Sequence, residues 1–173
     1  MNEIELNYKG MHEQLSKAKR DSKEIRNQVI LCSTSLEFAV TQLVKIGAEK
    51  LNISSFKKIM TKSFVPIIRK IGLLRTANII NKDIQENLTI LFGIRNKFAH
   101  ELFLISKDTN PVFEPLKNIH TTNSFLKNLP NDLVKFQLTT SKCFAELVTV
   151  SKSLDPSSVL ELEVVGDITP IEE

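Results

Sequence analysis

The sequence predicts an all-α fold, an antiparallel helical bundle of about five helices, and three observations lead there. Only 5 Gly and 6 Pro are spread over 173 residues, too little punctuation for a sandwich, a barrel or a Gly-rich phosphate loop. Apolar residues recur at three- and four-residue spacing instead of alternating. The length, with 42% hydrophobic and 25% charged residues, fits one globular domain that can bury a core. Collagen, mucin-like stalks and multidomain enzymes are thereby excluded. Residues 1–155 form the expected domain and residues 156–173 an acidic tail.

The elements follow from periodicity and caps. Residues 3–20 place Ile4, Leu6, Met11, Leu15 and Ala18 in loose helical spacing, one apolar stripe among charges. Asp21 and Ser22 then offer a boundary and a cap. A second, long helix over about residues 23–51 carries Val29, Leu36, Val40, Leu43 and Gly47 on one face. Ser54 and Ser55 cap a third helix with Phe56, Ile59, Met60, Phe64, Ile67, Ile68 and Ile71, bent at Pro66 and stopped at Gly72. Asn81 caps a fourth, whose first-turn Asp83 and Glu86 complement the helix dipole and whose core positions include Ile84, Leu88, Leu91, Phe92 and Phe98. Residues 106–131, with Pro111, Pro115 and Pro130, read as a long loop holding one short helical turn. A last helix spans about residues 132–154, capped by Asp132 and followed by Pro156. Val159 to Val165 alternate enough for a short strand. No internal repeat is evident.

Cys32 and Cys143, the only cysteines, sit in apolar helical patterns and imply a reducing compartment. No charged leader precedes a short apolar stretch, and the apolar runs are broken by Thr, Lys or Glu. The expected location is cytoplasmic, with no membrane partner.

A formal charge of only +3 conceals segregation. Between residues 50 and 82 there are eight bases (Lys50, Lys57, Lys58, Lys62, Arg69, Lys70, Arg75, Lys82) and no acid. Residues 155–173 hold six acids (Asp155, Glu161, Glu163, Asp167, Glu172, Glu173) and no base, so the remainder carries +9. Such runs fit a solvated helix face with a solubilising tail, or the footprint of a polyanion. The tail can also fold over the basic helix and restrain it.

The chain lacks His-Glu-x-x-His, Cys-x-x-Cys, a Gly-rich phosphate loop and Gly-x-Ser-x-Gly, and its three His and two Cys are scattered. Neither a metal nor another cofactor is expected. His12 and His120 fall in polar segments and receive no role. One constellation remains, Gly93-Ile94-Arg95-Asn96-Lys97-Phe98-Ala99-His100 at the end of the fourth helix. His can move the proton of a 2′-hydroxyl or of a leaving 5′-oxygen, and Arg can hold a phosphate whose charge builds in the transition state. At 100° per residue Asn96 and His100 lie about 40° apart, whereas Arg95 and His100 are about 140° apart. Convergence needs the reach of Arg95, a loosened last turn, or a second copy across a symmetry axis. An Arg and a His at a helix C-terminus also complement its dipole. Phe98 and Ala99 read as core.

At Ile94-Arg95-Asn96-Lys97-Phe98-Ala99-His100 the chain resembles the HEPN superfamily, whose signature is an Arg, commonly followed by Asn, with a His a few residues on. Residues 23–105 as a whole look like its mannitol operon repressor-like branch. The resemblance implies a helical bundle, usually dimeric, with the motifs of two protomers lining one cleft. Many HEPN proteins are metal-independent endoribonucleases of toxin–antitoxin and other defence systems, while the repressor-like branch is known for regulators. By that resemblance Arg95 and His100 are catalytic and Asn96 assists.

The expected function is therefore RNA cleavage by 2′-hydroxyl transesterification in a homodimer, with a protein antitoxin or regulatory partner. Arg95 stabilises the phosphorane, His100 is general acid or base, and Asn96 orients phosphate or ribose. Lys97 with Lys57, Lys58, Lys62, Arg69, Lys70 and Arg75 tracks the backbone. Glu37, on a largely apolar helix, is the candidate partner of Arg95, or else a solvent-facing or interhelical charge. The alternative is a non-catalytic regulator in which the heptapeptide serves structure. Nothing resembles a helix-turn-helix reader of duplex DNA.

Overall fold

The computed structural model describes residues 3–62, 64–100, 111–122 and 124–158, with side chains from residue 23 onward. These residues form six α-helices, α1 (Glu3–Lys50), α2 (Ser54–Met60), α3 (Ile67–Thr76), α4 (Lys82–His100), α5 (Ser124–Lys127) and α6 (Asp132–Leu154), with a 3-10 helix at Pro111–Asn118. No strand occurs among them, and the fold is all-helical.

The boundary expected at Asp21 and Ser22 is not used, because α1 runs unbroken for 48 residues. Asp and Ser cost a helix interior only tenths of a kcal/mol, about 0.5, and no Pro or Gly stands there. From residue 23 on, the expected face is buried, with Val29, Leu36, Val40 and Leu43 fully enclosed. Lys23–Lys50 is also long and apolar enough to cross a membrane by length and composition, contrary to the broken runs expected. The structure packs it against α2, α3, α4 and α6 as the central helix.

The third predicted helix is two helices. Pro66 does not bend it but stands ahead of α3 with φ −55° and ψ 139°, since proline has no N–H to give a preceding turn and forces its neighbour to extend. Gly72 lies inside α3. The stop is Asn78 in left-handed conformation, φ 57°, where Ile79 N–H donates back to the Leu74 carbonyl at 2.9 Å in a Schellman-type closure.

At α4 the predicted cap is made: Ile84 N–H donates to Asn81 Oδ1 at 2.8 Å. The cap of α6 is Asn131 instead of Asp132, accepting from Val134 N–H at 3.1 Å. Within the predicted loop, Val112, Phe113 and Leu116 are core residues. Phe113 bridges Phe98 and Phe136, with ring centroids 5.1 Å and 6.0 Å apart. Phe113, Leu116 and the likewise buried Ile119 follow at intervals of three, the period of a 3-10 turn, which a 3.6-residue pattern misses.

Contacts fix the helix directions. Arg26 meets Ala99 and Glu37 meets Arg95, so α1 and α4 are antiparallel. Gln28 meets Gln137 and Lys50 meets Asp155, so α1 and α6 are parallel, which corrects the wholly antiparallel expectation. The side chains of residues 3–20 and the Val159–Val165 alternation lie outside the described residues.

Candidate functional site

The heptapeptide occupies the last two turns of α4, which remains α-helical through His100. Ile94 and Phe98 point into the core, 1% and 0% exposed. Gly93, Asn96, Lys97 and His100 are exposed, and their i, i+3, i+4, i+7 spacing makes them one outer stripe. A methyl group at Gly93 would meet nothing within 4 Å, so this stripe is shallow and open. With the last turn regular, the loosening that would bring His100 round to Arg95 does not occur.

Arg95 leaves the stripe toward α1. Its Nη2 lies 3.9 Å from Glu37 Oε2, with both side chains partly exposed. Its Nη1 donates to Asn96 Oδ1 at 3.1 Å. An ion pair so long and wet is worth well under about 1 kcal/mol, so it aims the guanidinium without consuming it. Glu37 thus lies beside Arg95, its candidate partner.

Arg26 was not singled out from the sequence. Its Nη2 donates to the Ala99 carbonyl at 3.0 Å, filling one of the acceptors that a helix C-terminus leaves open and placing a cation at the negative end of its dipole. The signal was periodic: Arg26 and Glu37 are three turns apart and share a face.

The basic residues divide. Lys57, Lys58, Lys62 and Arg69 are exposed along α2 and the start of α3. Lys70 turns inward and donates from Nζ to Thr41 Oγ1 at 2.9 Å, while Arg75 donates to Asn78 Oδ1 at 3.3 Å. Thr41 Oγ1 in turn donates to the Glu37 carbonyl at 2.7 Å. Lys70 and Arg95 therefore reach α1 one turn apart, which joins the basic face to the motif through a polar seam. Lys97 lies near the 3-10 helix. The Glu114 carboxyl there is held below its ordinary range, first by the hydrogen bond and charge of Lys117 and, less, by the charge of Lys97.

His120 has a structural place. Its Nε2 is 2.5 Å from Glu86 Oε2, and its backbone exchanges two hydrogen bonds with buried Asn87, at 3.0 Å and 2.7 Å. Among the described residues no group of three or more His, Cys, Asp or Glu is arranged to hold a metal ion.

No family model, curated protein or solved structure matches the chain.

Proposed function

We propose that this chain is a metal-independent endoribonuclease of HEPN type, acting as a cytoplasmic homodimer with a HEPN-like helix arrangement. The observation that carries the reading is the open stripe of α4, where Asn96, Lys97 and His100 face outward beside an empty Gly93. His100 takes the proton of a 2′-hydroxyl, the alkoxide attacks the adjacent phosphorus, the P–O5′ bond breaks, and the leaving 5′-oxygen takes a proton from water while the imidazolium gives its own back to solvent. The products end in 2′,3′-cyclic phosphate and 5′-hydroxyl. Arg95 holds the phosphorane's equatorial oxygens. It points about 140° from His100 on a straight helix, so the Arg95 that serves one His100 belongs to the second protomer. Asn96 orients the phosphate, and Lys57, Lys58, Lys62 and Arg69 follow the RNA backbone.

A regulator is the second reading, favoured by the polar bonds that tie Arg95 to Glu37 and Asn96 and Arg26 to Ala99. The test is incubation of single-stranded RNA with low-micromolar protein in EDTA, with analysis of product ends. Cleavage to cyclic-phosphate ends, lowered roughly 10²–10⁴-fold in His100→Ala, is expected. Intact RNA, or His100→Ala and Arg95→Ala cleaving as well as the parent, removes the nuclease assignment.

A further inference from the structure

The α2–α3 face combines cations with aliphatic side chains, and although RNA bases can stack on Phe64, RNA offers nothing to the aliphatic ones. Lys57, Lys58, Lys62 and Arg69 are exposed on it. So are Leu51, Met60, Phe64 and Ile68, at 45%, 44%, 79% and 44%. An RNA strand pairs its phosphates with the cations and leaves Leu51, Met60 and Ile68 in water. A ligand that satisfies both carries acids interleaved with aliphatic residues.

Such a segment exists in this chain. Residues 159–168 hold Val159, Leu160, Leu162, Val164, Val165 and Ile168 interleaved with Glu161, Glu163 and Asp167, and no base follows Lys152. Its root is fixed in the structure. Lys50 Nζ is 3.1 Å from Asp155 Oδ2, whose side chain is only 15% exposed. Asp155 Oδ1 accepts from Ser157 Oγ at 2.6 Å, and the Ser151 and Ser158 hydroxyls lie 2.6 Å apart. The Asp155 carboxyl is held below its ordinary range, first by Ser157 and then by Lys50. Lys50 ends α1, just ahead of α2 at Ser54. Between α1 and α2 opens a groove of about 460 Å³ lined by Lys45, Ala48, Glu49, Lys57 and Met60. The 15 residues after Ser158 reach up to about 50 Å when extended, whereas α2 and α3 laid end to end cover only about 25 Å.

We propose that residues 159–173 dock in cis on the α2–α3 face. Their aliphatic side chains cover Met60, Phe64 and Ile68, and Glu161, Glu163 and Asp167 face Lys57, Lys58, Lys62 and Arg69. The acid of Glu49 in the groove repels the tail's carboxylates, which turns them toward the Lys57–Lys62 side. The docked tail occupies the surface assigned above to RNA and competes for it. Docking itself rests on the charge and apolar pattern and does not require the nuclease reading.

The test uses the full chain and contains no RNA, so its failure and that of the nuclease reading are separable. An equal mixture of ¹⁵N-labelled and unlabelled protein is treated with a water-soluble carbodiimide, which joins a lysine to a carboxylate it touches, and the linked peptides are read by mass. Lys50–Asp155 and Lys117–Glu114 are internal controls. Links from Lys57, Lys58 or Lys62 to Glu161, Glu163 or Asp167 within one isotopic chain are expected. Controls linking without any such tail link overturn the proposal, and so do links only between isotopes, which would place the tail on a second copy. In a second measurement, peroxide oxidation of Met60 is followed against Met1 and Met11. It should quicken at least threefold in the full-length E161Q/E163Q/D167N protein. An unchanged Met60 rate overturns the docking.

Discussion

Replacing Gly47 by Ala tests how α2 is held against the central helix. A Cβ built on Gly47 falls on the Cε2 and Cδ2 edge of the Phe56 ring, far inside van der Waals contact, with Ile79 Cδ1 at 3.3 Å behind it. Phe56 is 0% exposed and cannot withdraw into solvent. Elsewhere in a helix the change to Ala stabilises by about 1 kcal/mol. Here overpacking costs about 1–3 kcal/mol, so the gain is cancelled or reversed. Gly93 is the control, since its added methyl meets nothing within 4 Å and the full gain of about 1 kcal/mol applies. Gly47→Ala should therefore melt below Gly93→Ala by about 1–3 kcal/mol, which at roughly 2–4 °C per kcal/mol is several degrees. Thermal unfolding followed by circular dichroism at 222 nm in one buffer gives both midpoints. Gly47→Ala melting at or above Gly93→Ala would refute the close approach of Phe56 and, with it, the seat of the basic helix α2.

Four further outcomes follow from the structure. Burial pushes the Cys143 thiol from 9.0 to about 12, and burial also raises Cys32; with an uncharged, thiolate-selective reagent at pH 8, Cys143 should react only after unfolding, and rapid native labelling would contradict its burial. Because the folded state keeps the Cys143 proton longer, its stabilising contribution is complete below about pH 9 and is lost toward pH 12; the stability of the parent relative to Cys143→Ala in urea should fall across that window, and a relative stability that rises would reverse the sign. Asn87→Ala leaves the His120 N–H and carbonyl without their buried partner and should cost about 1–3 kcal/mol in urea unfolding, whereas a loss under half a kcal/mol would show that the His120 segment is held elsewhere. Arg26→Met should cost under about 1 kcal/mol of stability and, on the proposed nuclease reading, lower RNA cleavage severalfold by freeing the last turn of α4; unchanged cleavage would show that the Ala99 bond does not position His100.

Local chemistry was legible where a stop or cap and a long apolar period agreed. The bounds of α6, Asp132–Leu154, lie between Asn131 and Pro156, and the Asn81 cap of α4 forms as expected. Misreadings arose where a residue permits two outcomes. Asp21 and Ser22 cap helices but also continue one when nothing breaks it. Pro66 fits a bend within one helix as well as the start of a new one, and with α3 beginning just after it, it supplies the carbonyl that the Arg69 and Lys70 N–H groups use. Phe113 became core only through Phe98 and Phe136, partners 15 and 23 residues away, beyond any local period. At the site, Arg95, Asn96, Lys97 and His100 stood out as polar groups on an apolar helix. Arg26 did not, because its partner is a backbone carbonyl 73 residues away.

The most direct test of the proposed composite cleft is to mix the Arg95→Ala and His100→Ala proteins, each expected to be inactive alone, and allow subunits to exchange. If Arg95 of one protomer serves His100 of the other, half of the dimers are mixed and each holds one intact site, so cleavage in EDTA should return to about a quarter of the parent rate. A mixture as inactive as its two components, beside a parent that cleaves, would contradict the composite cleft.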